Sequence, residues 1–281
     1  MWKTLRIAGG CLLLSSTASA YPTTAVFTPT GEAMPGGMVG IMAYASTNLA
    51  PAISPGSTWF GAQVGLLPQF EYNTSLRFGG LEVGFDTISP NGNGIVKPVL
   101  NAKLGVVTEG TGSPALAVGI MQVSPALPSM NFIYVSATKT LRFGDGASFG
   151  RFTLGLADNA GGRSQFNGTF PFRDTRLSLM AAFETPLIAK RLGFVIDHLG
   201  GASELSSTWG GATILISSMT KLSAGAYLSN ERSNPATTYD GFFGCVMTSF
   251  DALTLFTSRH DADAVPAEQD RAMHDGSRSP N

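Results

Sequence analysis

Gln69-Phe70-Glu71-Tyr72-Asn73-Thr74-Ser75-Leu76-Arg77-Phe78, then Gly79-Gly80, then Leu81-Glu82-Val83-Gly84-Phe85-Asp86, alternates apolar and polar side chains with a period of two. Phe70, Tyr72, Thr74, Leu76 and Phe78 share one side of the first segment, and Glu71, Asn73, Ser75 and Arg77 share the other. After a turn at Ser89-Pro90-Asn91-Gly92-Asn93-Gly94 the rhythm resumes, with Leu100, Ala102, Leu104 and Val106 set against Asn101, Lys103 and Gly105. Successive side chains of an extended strand point to opposite faces, so this stretch predicts strands with one apolar and one polar face. Two folds accept such strands: a soluble sheet with a wet face, and a membrane barrel with a polar lumen.

Composition bears on the choice. The chain is 43% hydrophobic and 13% charged, against roughly 25% charged in an ordinary soluble domain. With 34 glycines and 18 phenylalanines it lacks the charged coat of a soluble secreted protein. A barrel whose outer face meets lipid needs no such coat. The formal net charge of −1, without a basic cluster, argues against a nucleic-acid partner.

Lys3 and Arg6, the apolar run Ile7 to Leu14 and the small residues Ser15 to Ala20 predict a secretory signal peptide over 1–20. That apolar run falls short of the roughly 20 residues a membrane span needs. Removal of the signal leaves Cys245 as the only cysteine, which excludes an intrachain disulfide and cysteine-based metal frameworks.

Further strands are expected on either side of the opening stretch. Upstream they are Val26–Pro29, Met38–Ala45 and Trp59–Leu66; downstream they include Ala115–Val123, Phe132–Leu141, Phe242–Phe250 and Leu253–Thr257. Links at Gly79-Gly80, Thr185 to Ala189, Met219-Thr220 and Ser249 to Asp251 are short, and those at Ser89 to Gly94, Asn159 to Asp174, Leu199 to Thr208 and Asn230 to Tyr239 are longer. This parity suits the tight periplasmic turns and longer external loops of an outer-membrane barrel, and a Greek-key sandwich gives no reason for it. Phe70, Tyr72, Phe78, Trp209, Tyr239, Phe242 and Phe250 lie near strand ends, where interfacial aromatic girdles sit.

Counting leaves two totals. Fourteen strands from Val26 put the short turns in the periplasm but leave no place for Leu253–Thr257; twelve from Phe70 use that segment but put the short turns outside. The expected fold is therefore an all-β, antiparallel up-and-down transmembrane β-barrel of about 12–14 strands over residues 21–258. A disordered polar tail follows at 259–281, with Asp261, Asp263, Glu268 and Asp270.

Leu81-Glu82-Val83-Gly84-Phe85-Asp86, Pro98-Val99-Leu100-Asn101-Ala102-Lys103-Leu104 and Pro114-Ala115-Leu116-Ala117-Val118-Gly119-Ile120 resemble predicted outer-membrane β-barrel proteins of Gram-negative bacteria. The resemblance covers about the middle third of the chain. It implies an outer-membrane location and a barrel fold, and it carries no catalytic residues. Outer-membrane lipid and the barrel-assembly machinery are the partners expected of such a protein. Proteins of this kind often end on an aromatic-terminated strand, whereas this chain adds a polar tail.

No catalytic, cofactor or metal residues are expected, and the chain is not expected to be an enzyme. His260 and His274 lie in the tail, and Asp197-His198 adjoins a loop with Ser203, Ser206 and Ser207. Adjacent strand residues point to opposite faces, so that Asp and His cannot form the base–orienter pair of a hydrolase. Gly146-Ala147-Ser148-Phe149-Gly150 matches G-x-S-x-G, but a turn precedes the serine and an alternating strand follows, where a nucleophile elbow needs strand and then helix.

The charged residues on polar faces, Glu71, Arg77, Glu82, Asp86, Lys103 and Arg176, are the candidate lumen-lining set. They suit either a cross-strand ladder or an aqueous path that biases which solutes pass. A barrel of 12–14 strands lies between the side-chain-filled eight-stranded size and the open sixteen-stranded porins. The expectation is a narrow or plugged channel for small polar solutes. The alternative is a structural or accessory envelope barrel, as in polysaccharide export, acting with envelope protein partners. A soluble secreted all-β protein is a third reading.

Overall fold

The computed structural model describes residues 24, 25, 27–49, 56–71, 77–89, 97–125, 131–144, 146–159, 177–200, 206–230 and 240–252. The regions assigned to the signal peptide and the polar tail, the segment Leu253–Thr257 and Arg176 lie outside the described residues.

Period-two segments become strands, and the strands close on themselves. The wall consists of β1 (Met38–Asn48), β2 (Thr58–Leu67), β5 (Gly80–Ser89), β6 (Lys97–Val107), β7 (Ala115–Val123), β8 (Phe132–Arg142), β9 (Ser148–Asn159), β10 (Leu177–Glu184), β11 (Leu192–Leu199), β12 (Ser207–Leu215), β13 (Thr220–Ser229) and β14 (Gly241–Asp251). Together they form a closed, antiparallel, up-and-down barrel of twelve strands, completed by pairing of β1 with β14. At that seam Leu49 N donates to Asp240 O at 2.8 Å. Closure leaves none of the twelve wall strands as an edge. The short strands β3 (Phe70–Glu71) and β4 (Arg77–Phe78) stand apart as a two-stranded hairpin.

Two expected wall strands are therefore corrected. The segment from Phe70 to Phe78 contributes the β3–β4 hairpin, with Phe70 opposite Phe78 and Glu71 opposite Arg77. It sits in the link between β2 and β5, which pair directly with each other, so no gap is left for another wall strand. Val26–Pro29 is not in the wall either. Its described residues lie inside the barrel, where Pro29 cannot donate to a ladder. Removing these two from the larger count leaves twelve, with β14 last.

Both the entry to β1 and the exit from β14 lie at one end of the barrel, here called proximal. Links 68–79, 108–114, 143–147, 185–191 and 216–219 join strand ends at the proximal side, and 49–57, 90–96, 124–131, 160–176, 200–206 and 230–240 join strand ends at the distal side. The two shortest links thus join proximal strand ends, and the longest joins distal ones.

The wall has two chemically distinct faces. On β5, Leu81, Val83 and Phe85 point outward while Glu82, Asp86 and Ile88 are buried inside. On β8, Ile133 and Val135 are exposed while Phe132, Tyr134, Ser136 and Thr138 are buried. The outer surface is a broad apolar belt to which Phe60, Leu100, Leu154, Phe194, Ile214, Leu228 and Phe242 all contribute. Charged outward side chains such as Lys139 keep to strand ends, where its Nζ lies 3.3 Å from Glu109. Phe143, Phe149, Phe152 and Phe183 cluster at the proximal rim with ring centroids 4.5–6.1 Å apart. Trp209, expected in such a girdle, instead turns into the lumen because it shares the inward parity of Ser207 and Thr213, and it is buried there.

Candidate functional site

The lumen is occupied by the chain itself. Pro35-Gly36-Gly37 bends the backbone from β1 into the barrel, with Gly37 at φ +86°, a conformation glycine adopts without strain. Gly37 N donates to Gly65 O at 3.0 Å and Met38 N to Pro35 O at 3.1 Å. From there the segment runs inward through Met34, Glu32, Thr30 and Thr28 to Phe27. It reverses at a turn in which Ala25 N donates to Thr28 O at 3.0 Å and Thr24 bridges Pro29.

The wall makes room for this segment with small residues. Ala115, Ala117, Ser136, Thr138, Thr153, Ala157, Ser178 and Ala182 face inward along β7 to β10. The fit is close at Gly31, where a Cβ would overlap the backbone of Ala115 and come within 2.8 Å of Thr138 N.

An extended segment inside a barrel brings backbone groups that need partners, since an unmet buried donor costs about 1–3 kcal/mol. The wall supplies them. Asp197 accepts from Phe27 N at 2.7 Å, from Thr28 N at 2.9 Å and from the Thr28 hydroxyl. Ser136 Oγ donates to Thr30 O at 3.0 Å, and Gly31 N donates to Thr138 Oγ1 at 2.8 Å. Lys103 Nζ donates to Glu32 O at 3.0 Å, Lys221 Nζ to Ala25 O at 3.3 Å, and Met34 N to Glu82 Oε2 at 2.9 Å. Arg151 binds Glu32 of the segment, and its Nη1 lies 2.9 Å from Glu184 Oε2.

The two halves of the lumen differ. Distally, the Phe27 ring is enclosed by Tyr44, Trp59 and Trp209 at centroid distances of 4.9, 4.9 and 4.8 Å, and Phe243 stacks on Tyr44 at 6.2 Å. Ile88, Val99, Phe132 and Leu199 extend this seal. Proximally, a cavity of about 320 Å³ is lined by Thr140, Arg151, Glu184, Thr213 and Lys221 among others. Arg151, Glu184 and Lys221 thus gather toward the proximal mouth beside apolar neighbours such as Leu187 and Leu215, and aromatic rings shut the distal half.

The expected lumen set is divided by the fold. Glu82, Asp86 and Lys103 are inside and buried, with Glu82 directly opposite Lys103 in the β5–β6 register. Arg77 stands on β4 outside the wall with its side chain exposed, and Glu71 is its partner in the hairpin register, so neither strand position belongs to the lumen wall. Arg176 lies outside the described residues.

Sequence reasoning did not place Asp197, Arg151, Glu184 or Lys221 in the lumen. Each occupies the polar parity of a strand whose apolar parity is plain, beside Ile196, Phe152, Phe183 and Leu222 respectively. Even application of the same rule finds them. His198 points outward, away from Asp197, and its Nδ1 lies 2.8 Å from Thr208 Oγ1. Ser148 opens β9 directly after the 143–147 turn.

No family model matches the sequence, and no curated protein matches it. Among solved structures, an S-type phycobiliprotein lyase from Guillardia theta aligns over 77% of this chain and 87% of its own at 6% identity, with a TM-score of 0.28. OprB of Pseudomonas putida, in a low-pH structure, aligns over 76% of this chain and 91% of its own at 9% identity, with a TM-score of 0.26. Likenesses this slight carry no functional argument.

Proposed function

We propose that this chain is an integral barrel of the bacterial outer membrane whose lumen is closed at rest by residues 24–35 and admits small polar solutes when that segment withdraws. Export would use the signal over 1–20 and insertion would use the barrel-assembly machinery, with lipid as the solvent of the outer face. The observation that carries the membrane reading is the apolar outer belt of the wall, set against an inner face of polar, small and aromatic residues. Exposed apolar surface on this scale marks an interaction surface, and a lipid-facing band meets that description. The gating reading rests on a second feature. The 24–35 segment forms no rung of the wall's ladder, so its removal leaves all twelve wall strands paired.

Membrane residence is tested at Leu154, an exposed side chain in the middle of β9. In a bilayer Leu154→Arg is expected to destabilise folding by about 2–4 kcal/mol. In a water-soluble barrel the change stays within about 0.5 kcal/mol. Urea titration of protein folded into vesicles distinguishes the two, and recovery of wild-type protein in solution without surfactant refutes the membrane reading outright.

Gating is tested in planar bilayers. Full-length protein is expected to be mostly silent, and a chain lacking residues 24–35 is expected to conduct. The aromatic seal favours the accessory-barrel alternative, which predicts that both forms stay silent while an envelope partner co-purifies.

A further inference from the structure

Between the inserted segment and the wall of β1, β2 and β5 to β8 lies a second cavity, of about 50 Å³. Its lining includes Phe27, Trp59, Asp86, Gln122 and Tyr134. Three buried polar atoms on these residues have no hydrogen-bond partner within the protein: Asp86 Oδ1, Gln122 Oε1 and Trp59 Nε1. The residues are only 4%, 3% and 7% exposed. The Trp59 N–H is a donor and the other two are acceptors; buried polar atoms are almost always satisfied, so two orphaned acceptors on one cavity are unusual.

The backbone is built to present them. In β7 the register against β6 slips between Leu100 and Ala102, so Asn101 faces both Met121 and Gln122. Gln122 sits at φ +56°, a strained conformation for a residue with a side chain. This bulge turns Gln122 inward beside Met121 when simple alternation would turn it out, a use bulges often serve near functional sites. Gln122 N donates to Asn101 Oδ1 at 2.8 Å, which leaves Asn101 Nδ2 to donate to Asp86 Oδ2 at 2.7 Å. That relay fixes the carboxylate with its other oxygen unengaged. Gly61 makes space for it, since a Cβ there would overlap Asp86 Oδ1.

We infer that this cavity is a binding site for a small primary ammonium ion. The side chains on its wall that carry a formal charge are Glu82, Asp86 and Lys103, which sum to one negative. The cavity therefore asks for a cation. The two unpartnered acceptors call for directed N–H donors, whereas a bare alkali or alkaline-earth ion wants six or more oxygens. Phe27, Trp59 and Tyr134 add ring surface of the kind that attracts ammonium groups. At roughly 10–15 Å³ for each water-sized group, the volume holds an ammonium head with a stem of one or two carbons. Because Phe27 of the inserted segment lines the same cavity, the ligand would bind the plugged form. The inference stands on this geometry alone and holds whether or not the barrel conducts.

Calorimetric titration of the folded full-length protein in detergent, at constant ionic strength, tests it with methylammonium chloride. Saturable binding is expected, with competition by ammonium and none by potassium or tetramethylammonium. Asp86→Asn is expected to weaken methylammonium at least tenfold while keeping the bond from Asn101. Gln122→Asn, which tolerates the positive φ but withdraws the carbonyl, is expected to weaken it several-fold. Absence of saturable binding, equal competition by potassium, or unchanged affinity in either folded variant overturns the inference. Should Asp86→Asn fail to fold, the Gln122 variant and the ion competition decide the matter.

Discussion

The distal and proximal halves of the lumen hold the same peptide segment by different physics. Distally Phe27 is locked among Tyr44, Trp59 and Trp209, so contact area and ring packing dominate. Proximally Glu32 is held through Arg151, which also binds Glu184, and the adjoining cavity carries Arg151, Glu184 and Lys221 on its wall. Apolar packing is not screened by salt, whereas partly exposed ion pairs weaken as salt screens them. The distal contact is thus a lasting seal, and the proximal one is the part of the closure that ionic conditions can loosen.

Breaking the distal half should have the largest effect. Phe27→Ala removes a buried ring and is expected to destabilise the closed state by about 3–5 kcal/mol. The readout is a lower temperature for loss of the compact, heat-modifiable gel form, with little dependence on salt. Asp197→Ala acts on the same turn by stranding the N–H groups of Phe27 and Thr28. Two unmet buried donors at about 1–3 kcal/mol each should expose residues 24–35 to protease while leaving the wall strands protected.

The proximal half should yield less. Arg151→Met leaves Glu32 and Glu184 without their shared cation. A fully buried pair broken this way loses about 3–5 kcal/mol, but these side chains are 17–21% exposed, and solvent screening lowers the expectation to about 1–3 kcal/mol. Unlike Phe27→Ala, the loss should shrink as salt rises, because salt already weakens the wild-type pairs. The smallest effect is expected outside the lumen altogether. Lys139→Met at the proximal rim disrupts the Glu109 pair and carbonyl contacts at Thr111 and Ser113. A rim pair of this kind contributes about 0–1 kcal/mol, so equilibrium urea unfolding should barely move. A loss at Lys139 as large as that at Arg151 would erase the distinction between lumen and rim.

The wall was readable residue by residue. Leu81, Val83 and Phe85 against Glu82 and Asp86 announce which side faces out, because a side-chain period of two leaves no other arrangement. The same logic reaches Arg151, Asp197 and Lys221 once every strand receives it. Trp209 was misread because an aromatic at a strand end suits either a girdle or a core, and only its parity against Ser207 and Thr213 separates the two. The bulge at Gln122 gave no warning, since nothing in Met121-Gln122-Val123 marks a slip of register.

The alternation could be read from the sequence, and with it strands that carry one apolar and one more polar face. The tertiary structure alone decided the strand number and the contents of the lumen. Val26 to Pro29 and Phe70 to Phe78 read in the sequence like any wall strand, and local pattern cannot say whether such a segment pairs with neighbours, folds into a hairpin or turns inward. That choice depends on contacts between residues far apart in the chain, such as Thr28 with Asp197 and Glu32 with Arg151. Such contacts exist only once the barrel has closed around them.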